Sequence, residues 1–135
     1  MALTSAALPT AEELYLIRES VLLPFLLTII DKNVGELQSS LETPLKSLYL
    51  AAADRLVADI HKDLVRINRT LRSQNIKIWR EEHNENQKDE LHYKYRCRGY
   101  THELEVLRQT AKAELRVRLT LYVRQLSKEL KKEIH

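Results

Sequence analysis

The stretch that decides the fold is TPLKSLYLAAADRLVADIHKDLVRINRTLRS, residues 43–73. Apolar side chains recur every three or four residues along it, and basic side chains occupy the opposite face. Thr43 is a suitable N-cap, and Pro44 suits the first helical position because an N–H there would have no helical partner. The pattern predicts a long amphipathic helix within residues 44–75, about 45 Å in length at 1.5 Å per residue.

The first 43 residues predict an acidic, helical N-terminal segment. Thr10 followed by Glu13 forms a capping-box pattern at its start. Pro24 falls inside the apolar run that follows. Because proline lacks an N–H and clashes with the preceding turn, we expect a kink or a break there. Residues 1–43 carry two basic and six acidic side chains, a net charge of −4, whereas residues 44–135 carry twenty basic and thirteen acidic side chains, a net charge of +7.

Residues 76–98 show a different period. Over residues 91–98, apolar and basic side chains alternate strictly, which predicts a strand with one apolar and one basic face. A shorter β-rich run, IKIW, precedes it, and the polar residues 84–89 are the expected turn, so the segment predicts one β-hairpin. The turn contains no glycine, so the register stays open. Because the register is open, it also stays open whether Trp79 lies against Tyr93 or joins the basic face.

A third long helix is predicted over residues 101–135. Gly99 suits a corner between strand and helix, and Thr101 is a candidate N-cap. The apolar residues that follow are spaced more widely than the 3.5 residues of a left-handed coiled coil. Together the elements predict a single domain, residues 1–135, that is mainly α with one β-hairpin in the order α-α-β-β-α.

The lengths of the two long helices favour a homodimer. Helices of about 45 and 50 Å exceed the diameter of a compact domain of this size, about 30 Å, so the ends of their apolar stripes would face water. A second copy packed along the C-terminal helix, with a contribution from the second helix, would cover them. The candidate interface residues share the apolar stripe of that helix: Leu115, Leu119, Tyr122, Leu126 and Leu130. The alternative is a monomeric bundle in which the kinked first helix covers the excess.

The sequence predicts a cytoplasmic protein that does not enter membranes. Cys97 is the only cysteine, so no intrachain disulfide can form, as is usual in a reducing compartment. The N-terminus lacks the basic region of a secretory signal. The most apolar stretch, residues 21–30, has about half the length needed to span a bilayer.

No catalytic residue, metal ligand set or cofactor site is predicted. Cys97 and His92 fall on opposite faces of one strand, so they cannot form a nucleophile–base pair. Gly35 and Gly99 lie too far apart to form a phosphate-binding loop, and no paired zinc-ligand spacing occurs. We expect neither enzymatic activity nor a small-molecule substrate.

Basic side chains provide a candidate nucleic-acid surface. They lie on the basic strand face and on the third helix: Lys94, Arg96, Arg98, Arg108, Lys112 and Arg116. The order of elements, helices followed by a hairpin and a long helix, is similar to that of some winged-helix repressors. The similarity is one of order alone. Alternatively, the acidic residues of the hairpin neutralise its basic face: Glu81, Glu82, Asp89 and Glu90.

The function predicted first is that of a small regulatory or adaptor protein, without catalysis, that acts through protein–protein binding as a homodimer. The alternative is a nucleic-acid-binding protein whose hairpin and third helix contact phosphates.

Overall fold

The computed structural model describes residues 8–81 and 90–134, so the turn expected at residues 84–89 lies outside the described residues. Within these two ranges, three helices and three strands follow one another in the order α-α-β-β-β-α. The elements are α1 (Ala11–Gln38), α2 (Pro44–Ser73), β1 (Ile76–Arg80), β2 (Glu90–Cys97), β3 (Tyr100–Leu107) and α3 (Arg108–Ile134). The mainly helical fold and the long second helix are confirmed.

The sheet has three antiparallel strands in the order β1-β2-β3, one more than predicted. The added strand, β3, occupies residues that the prediction assigned to the C-terminal helix, and α3 begins only at Arg108. Arg98 and Gly99 join β2 to β3 with φ angles of 48° and 93°. A two-residue hairpin turn of type I′ needs positive φ at both positions. Gly99 therefore belongs to a hairpin turn, and the prediction of a strand-to-helix corner was wrong.

The sequence of β3 also explains why it was assigned to a helix. Leu104 and Leu107 fit the spacing of a helical stripe, but Leu104 also alternates with Glu103 and Glu105 as in a strand. Val106 is buried opposite the equally buried Leu91 of β2. Pairing with β2 decides the conformation, because tertiary contacts override a local pattern that fits both periods.

Helix α1 begins where the sequence predicted and continues past Pro24. Thr10 Oγ1 accepts the N–H of Glu13, and Glu13 accepts the N–H of Thr10, so the capping box is present. The helix does not break at Pro24, which is exposed, while Leu22 and Leu23 beside it are buried. Burial of this apolar segment holds the helix together although Ser20 loses the N–H that residue 24 would normally donate to its carbonyl.

A buried lysine fixes the corner between α1 and α2. The ammonium group of Lys46 donates to the carbonyls of Gln38 and Ser40 at 2.9 and 3.1 Å, and to the carboxylate of Glu42 at 3.1 Å. A helix C-terminus leaves carbonyls without helical donors, and a cation there satisfies them. Leu41 lies in this corner, and it is 89% exposed although the corner is held in place by Lys46.

Ion pairs attach α3 to α1. Arg18 donates to both carboxylate oxygens of Glu114, at 2.8 and 2.5 Å. One turn further along α3, Arg118 donates through two nitrogens to one oxygen of Glu19, which is buried. The Arg18–Glu114 pair is bidentate, and pairs of that geometry fix orientation as well as contributing energy.

Helix α3 runs antiparallel to α2. The hydroxyl of Tyr122 donates to Asp63 at 2.6 Å, and further along α3 the carboxylate of Glu129 accepts from Arg55 at 2.5 Å. The last turns of α3 therefore lie beside the N-terminal half of α2.

One core joins the helices to the inner face of the sheet. Its most deeply buried members come from the helices α1 and α2 and from the strands β2 and β3: Ile17, Leu22, Ile60, Cys97 and Val106. No helix in the described part of the chain combines the length and the hydropathy needed to cross a bilayer.

Candidate binding surfaces

The outer face of the sheet carries two of the predicted basic strand residues, Lys94 and Arg96. Trp79 pairs with Lys94 in the β1–β2 register, so the tryptophan joins the basic face and the open question is settled. On the other side of β2, Lys94 pairs with Glu103 and His92 with Glu105. Cross-strand neighbours lie about 5 Å apart, so carboxylates from β3 stand directly opposite the basic strand.

The outer face is close to electrically neutral. Among the described residues, its three cations are Lys77, Lys94 and Arg96, and its four carboxylates are Glu81, Glu90, Glu103 and Glu105. Part of this balance was foreseen, because Glu81 and Glu90 belong to the neutralising set, whereas Glu82 and Asp89 lie outside the described residues. The two glutamates of β3 were missed because their strand was read as helix.

Arg98 is engaged within the molecule. Its guanidinium donates to both carboxylate oxygens of Glu13, at 2.9 and 3.1 Å, and to the carbonyls of Gln74 and Leu8. This hydrogen bonding and the charge of Arg98 lower the pKa of Glu13, although desolvation opposes the shift. The arginine ties the β2–β3 turn to the start of α1 and to the end of α2.

The three predicted basic residues of α3 are exposed on its surface: Arg108, Lys112 and Arg116. Burial raises the pKa of Tyr93, and the charges of Arg80 and Arg108 oppose this rise, so both cations lie near that ring. Tyr93 belongs to the inner face of the sheet. The structure therefore does not bring Arg108 together with Lys94 and Arg96 on one face, and nucleic-acid binding by the full set stays a prediction.

The predicted dimer stripe of α3 faces the inside of the same chain. Leu115 and Leu126 are buried in the core, and Leu119 and Tyr122 are partly buried against it. Leu130 alone of the five is exposed. Because α1 and α2 already cover most of this stripe, Leu130 is the member that a second copy would find exposed, and the dimer through these residues stays a prediction.

A group of exposed apolar side chains lies at the N-terminal end of α2. We call Leu41, Leu45, Leu48 and Tyr49 the α2 patch; each is more than half exposed. Three of them continue the stripe whose later members, including Leu56, are buried. The expectation that the long helices leave apolar side chains in water is therefore met at this end of α2.

A groove of about 780 Å³ lies between α1, the C-terminal end of α2 and β1. We call it the β1 groove, since all five residues of that strand line it. Pro24 and Phe25 contribute an apolar wall from α1. Its cations are Arg72, Lys77 and Arg80, and no aspartate or glutamate is among the described residues that line it. Among the described residues, the β1 groove therefore combines aromatic and apolar surface with three cations.

Glu90, His92 and Glu105 form a small cluster at the end of the sheet. Each offers one ligand atom, and these atoms lie within 4.8 Å of one another. The imidazole is 3.5 Å from Glu90 and 3.9 Å from Glu105. These residue types can hold a divalent metal, but Glu105 is largely exposed, and exposed carboxylates are common without one. We assign no role to the cluster.

Sequence reasoning missed the β1 groove, because its walls come from segments that are far apart in the chain. Arg72 ends a helix, Lys77 and Arg80 belong to a short strand, and Phe25 lies more than forty residues earlier. No local spacing links them. Cys97, in contrast, was expected on the buried apolar face, and it is buried there with its thiol pKa raised by desolvation.

The fold class is that of a small, mainly helical protein with a three-stranded antiparallel sheet. The model of the family described as YhjD protein matches residues 8–127. The chain therefore belongs to the YhjD protein family. No match was found among curated proteins or among solved structures.

Proposed function

We propose that this protein is a regulatory or adaptor protein that acts without catalysis by binding other protein chains, and that it works as a homodimer in the cytoplasm. The observation that carries the proposal is the α2 patch, four large apolar side chains exposed together at one end of the molecule. Contiguous exposed apolar surface of this kind marks interaction sites in folded proteins. A single buried cysteine suits a reducing compartment.

The charges around the α2 patch favour a second copy of the chain as its occupant. Acidic residues lie on the α1 side of the patch: Asp31, Glu36 and Glu42. Basic residues lie in the last turns of α3, beside the same half of α2: Lys128, Lys131 and Lys132. In a two-fold dimer the same surface meets itself, so the acidic side of one copy would face the basic side of the other around an apolar centre. The Lys46 contacts hold the corner in place, which lowers the ordering cost of docking.

Light scattering of Leu48→Asp against Val65→Asp tests the dimer. Both positions are on α2 and similarly exposed, 55% and 57%, but Val65 lies on the opposite face from the α2 patch. We expect a dimer mass for the unmodified chain and for Val65→Asp, and a monomer mass for Leu48→Asp, because a buried carboxylate without a partner is costly. A monomer mass for the unmodified chain at high concentration would refute the dimer.

Nucleic-acid binding is the weaker alternative, since Arg98 holds Glu13 and the outer sheet face is balanced by glutamates. Its test is duplex binding at low and moderate salt, compared between the unmodified chain and Lys94→Glu with Arg96→Glu. Affinity that falls steeply with salt and is abolished by the double substitution would support it.

A further inference from the structure

Resting on the protein-binding function above, we propose that the β1 groove binds an extended, acidic peptide segment of a partner protein, which adds to β1 as a fourth strand of the sheet. The backbone of β1, the charge of the groove and its apolar wall each support this assignment.

The backbone of β1, whose residues line the groove, presents hydrogen-bonding groups along its outer edge. The N–H of Arg98 donates to the carbonyl of Asn75, and the N–H of Glu81 donates to the carbonyl of His92, at 3.0 and 2.9 Å. In an antiparallel pair, every second residue bonds to the partner strand, so the odd-numbered residues from 75 to 81 face β2. The N–H and C=O groups of Ile76, Ile78 and Arg80 therefore point away from β2.

That outer edge of β1 has no strand beside it in the described parts of the chain. An edge with outward backbone groups is the template for strand addition. Five residues of β1 span about 17 Å, enough to pair with a segment of about five residues.

The charge of the groove selects an acidic partner. Arg72, Lys77 and Arg80 line it. Glu81 accepts a hydrogen bond from the Trp79 indole at 2.7 Å and is not among the lining residues. Like charges across an interface are unfavourable, so a basic segment would be rejected where an acidic one is attracted.

The apolar wall accepts the alternate side chains of the added strand. In an extended peptide, successive side chains point to opposite faces. One set would lie against Phe25 and Ile78, and the other would face Lys77 and Trp79. Pro24 leaves the Ser20 carbonyl without its usual donor, and both residues line the groove. The preferred segment therefore carries acidic and apolar side chains together.

The test begins with selection of displayed random decapeptides on the full chain, with Lys77→Glu, Arg80→Glu as the comparison protein. Both substituted side chains are exposed, so the fold should be retained, which circular dichroism checks. The matched control is Lys62→Glu, Arg69→Glu, with the same charge change at exposed positions of α2 that do not line the groove. A synthetic copy of the selected peptide is then titrated while the fluorescence of Trp79, the single tryptophan, is recorded.

We expect the selected peptides to be rich in aspartate and glutamate, and to bind the groove variant at least about tenfold more weakly than the control variant. Two further peptides carry methyl groups on the backbone nitrogens, one at its odd-numbered and the other at its even-numbered residues. One of them should lose binding and the other should keep it, because a strand pairs through one set of amides. Equal enrichment on the unmodified chain and the groove variant, or equal binding of both methylated peptides, would overturn strand addition.

The same samples distinguish a failure of the groove proposal from a failure of the proposed function. If no groove-dependent peptide is selected but the dimer mass persists and is lost in Leu48→Asp, the groove assignment falls and the proposed function stands. If the chain is also monomeric, both fall.

Discussion

The two ends of α2 contrast sharply, although one amphipathic pattern runs through both. At the C-terminal end, Ile60, Ile67 and Leu71 are buried by the rest of the chain. At the N-terminal end, the α2 patch continues the stripe into water. Each end is fixed by a cation that donates to backbone carbonyls, Arg98 at one and Lys46 at the other. The contrast shows that periodicity predicts which face of a helix is apolar, while packing partners decide how much of that face is covered.

The largest loss in the free energy of unfolding is expected for a substitution that breaks the attachment of α3 to α1. Replacing Arg118 with Ala would leave the carboxylate of Glu19 buried without its partner. Breaking such a pair costs about 3–5 kcal/mol, which we expect as the loss in the free energy of unfolding by urea. Arg116→Ala, at an exposed position two residues before Arg118, is the control and should change little. A loss no greater than that of the control would mean that the pair does not hold α3.

Ile60→Ala tests the covered end of α2 directly. Ile60 is fully buried, so removing its branched side chain leaves a cavity. We expect the free energy of unfolding to fall by about 2–5 kcal/mol, with the urea midpoint lowered at an unchanged slope. A loss below about 0.5 kcal/mol would contradict the placement of this residue in the core.

Acidic pH should lower the stability of the covered part of the molecule, where Glu13 and Glu114 are paired with arginines. Arg98 lowers the pKa of Glu13 below its ordinary value of 4.5, and Arg18 does the same for Glu114. A carboxyl with a lowered pKa in the folded state contributes stability that is present above its unfolded pKa and is lost as the pH falls through the folded value. We therefore expect the free energy of unfolding to decrease as the pH drops below 4.5.

Glu13→Gln separates this cause from general acid denaturation. The amide cannot titrate, so the variant should be less stable near neutral pH and should depend less on pH in the acidic range. An unchanged slope between the two proteins would show that Glu13 does not contribute to the acid sensitivity.

The smallest effect on stability is expected at the uncovered end. Leu48→Ala, measured at concentrations too low for association, should change the free energy of unfolding by no more than about 0.5 kcal/mol, because the side chain already contacts water. At high concentration the same substitution should lower apparent stability further if a second copy covers Leu48, since binding stabilises the folded state by mass action. A large loss at low concentration would place Leu48 in the core.

Local signals predicted the helices of this protein better than its sheet. Thr10 with Glu13 and Thr43 with Pro44 carry capping chemistry that acts within one turn, and both helix starts were located from it. The strand β3 could not be separated from a helix by its pattern, and the Arg98–Gly99 turn before it lacks the Asn-Gly or Asp-Gly pair that would have marked a hairpin.

The binding surfaces depend on information that no short window contains. The β1 groove requires α1, α2 and β1 to meet, and the neutral outer face requires Glu103 to pair with Lys94. The α2 patch could be recognised as apolar from the sequence, but its exposure depends on which elements pack against that end of α2. Charge and periodicity therefore identified the residue types at these surfaces, and the tertiary arrangement determined their surroundings.

Because Cys97 is buried, the reactivity of its thiol can be used to measure how often the folded structure opens. Its thiol has no exposure to solvent, and burial raises its pKa, so a thiol-specific reagent can react only when the sheet separates from the helices. The rate of labelling then measures how often that separation occurs. A second cysteine introduced on the surface can be labelled selectively in the folded protein, without first replacing the natural one.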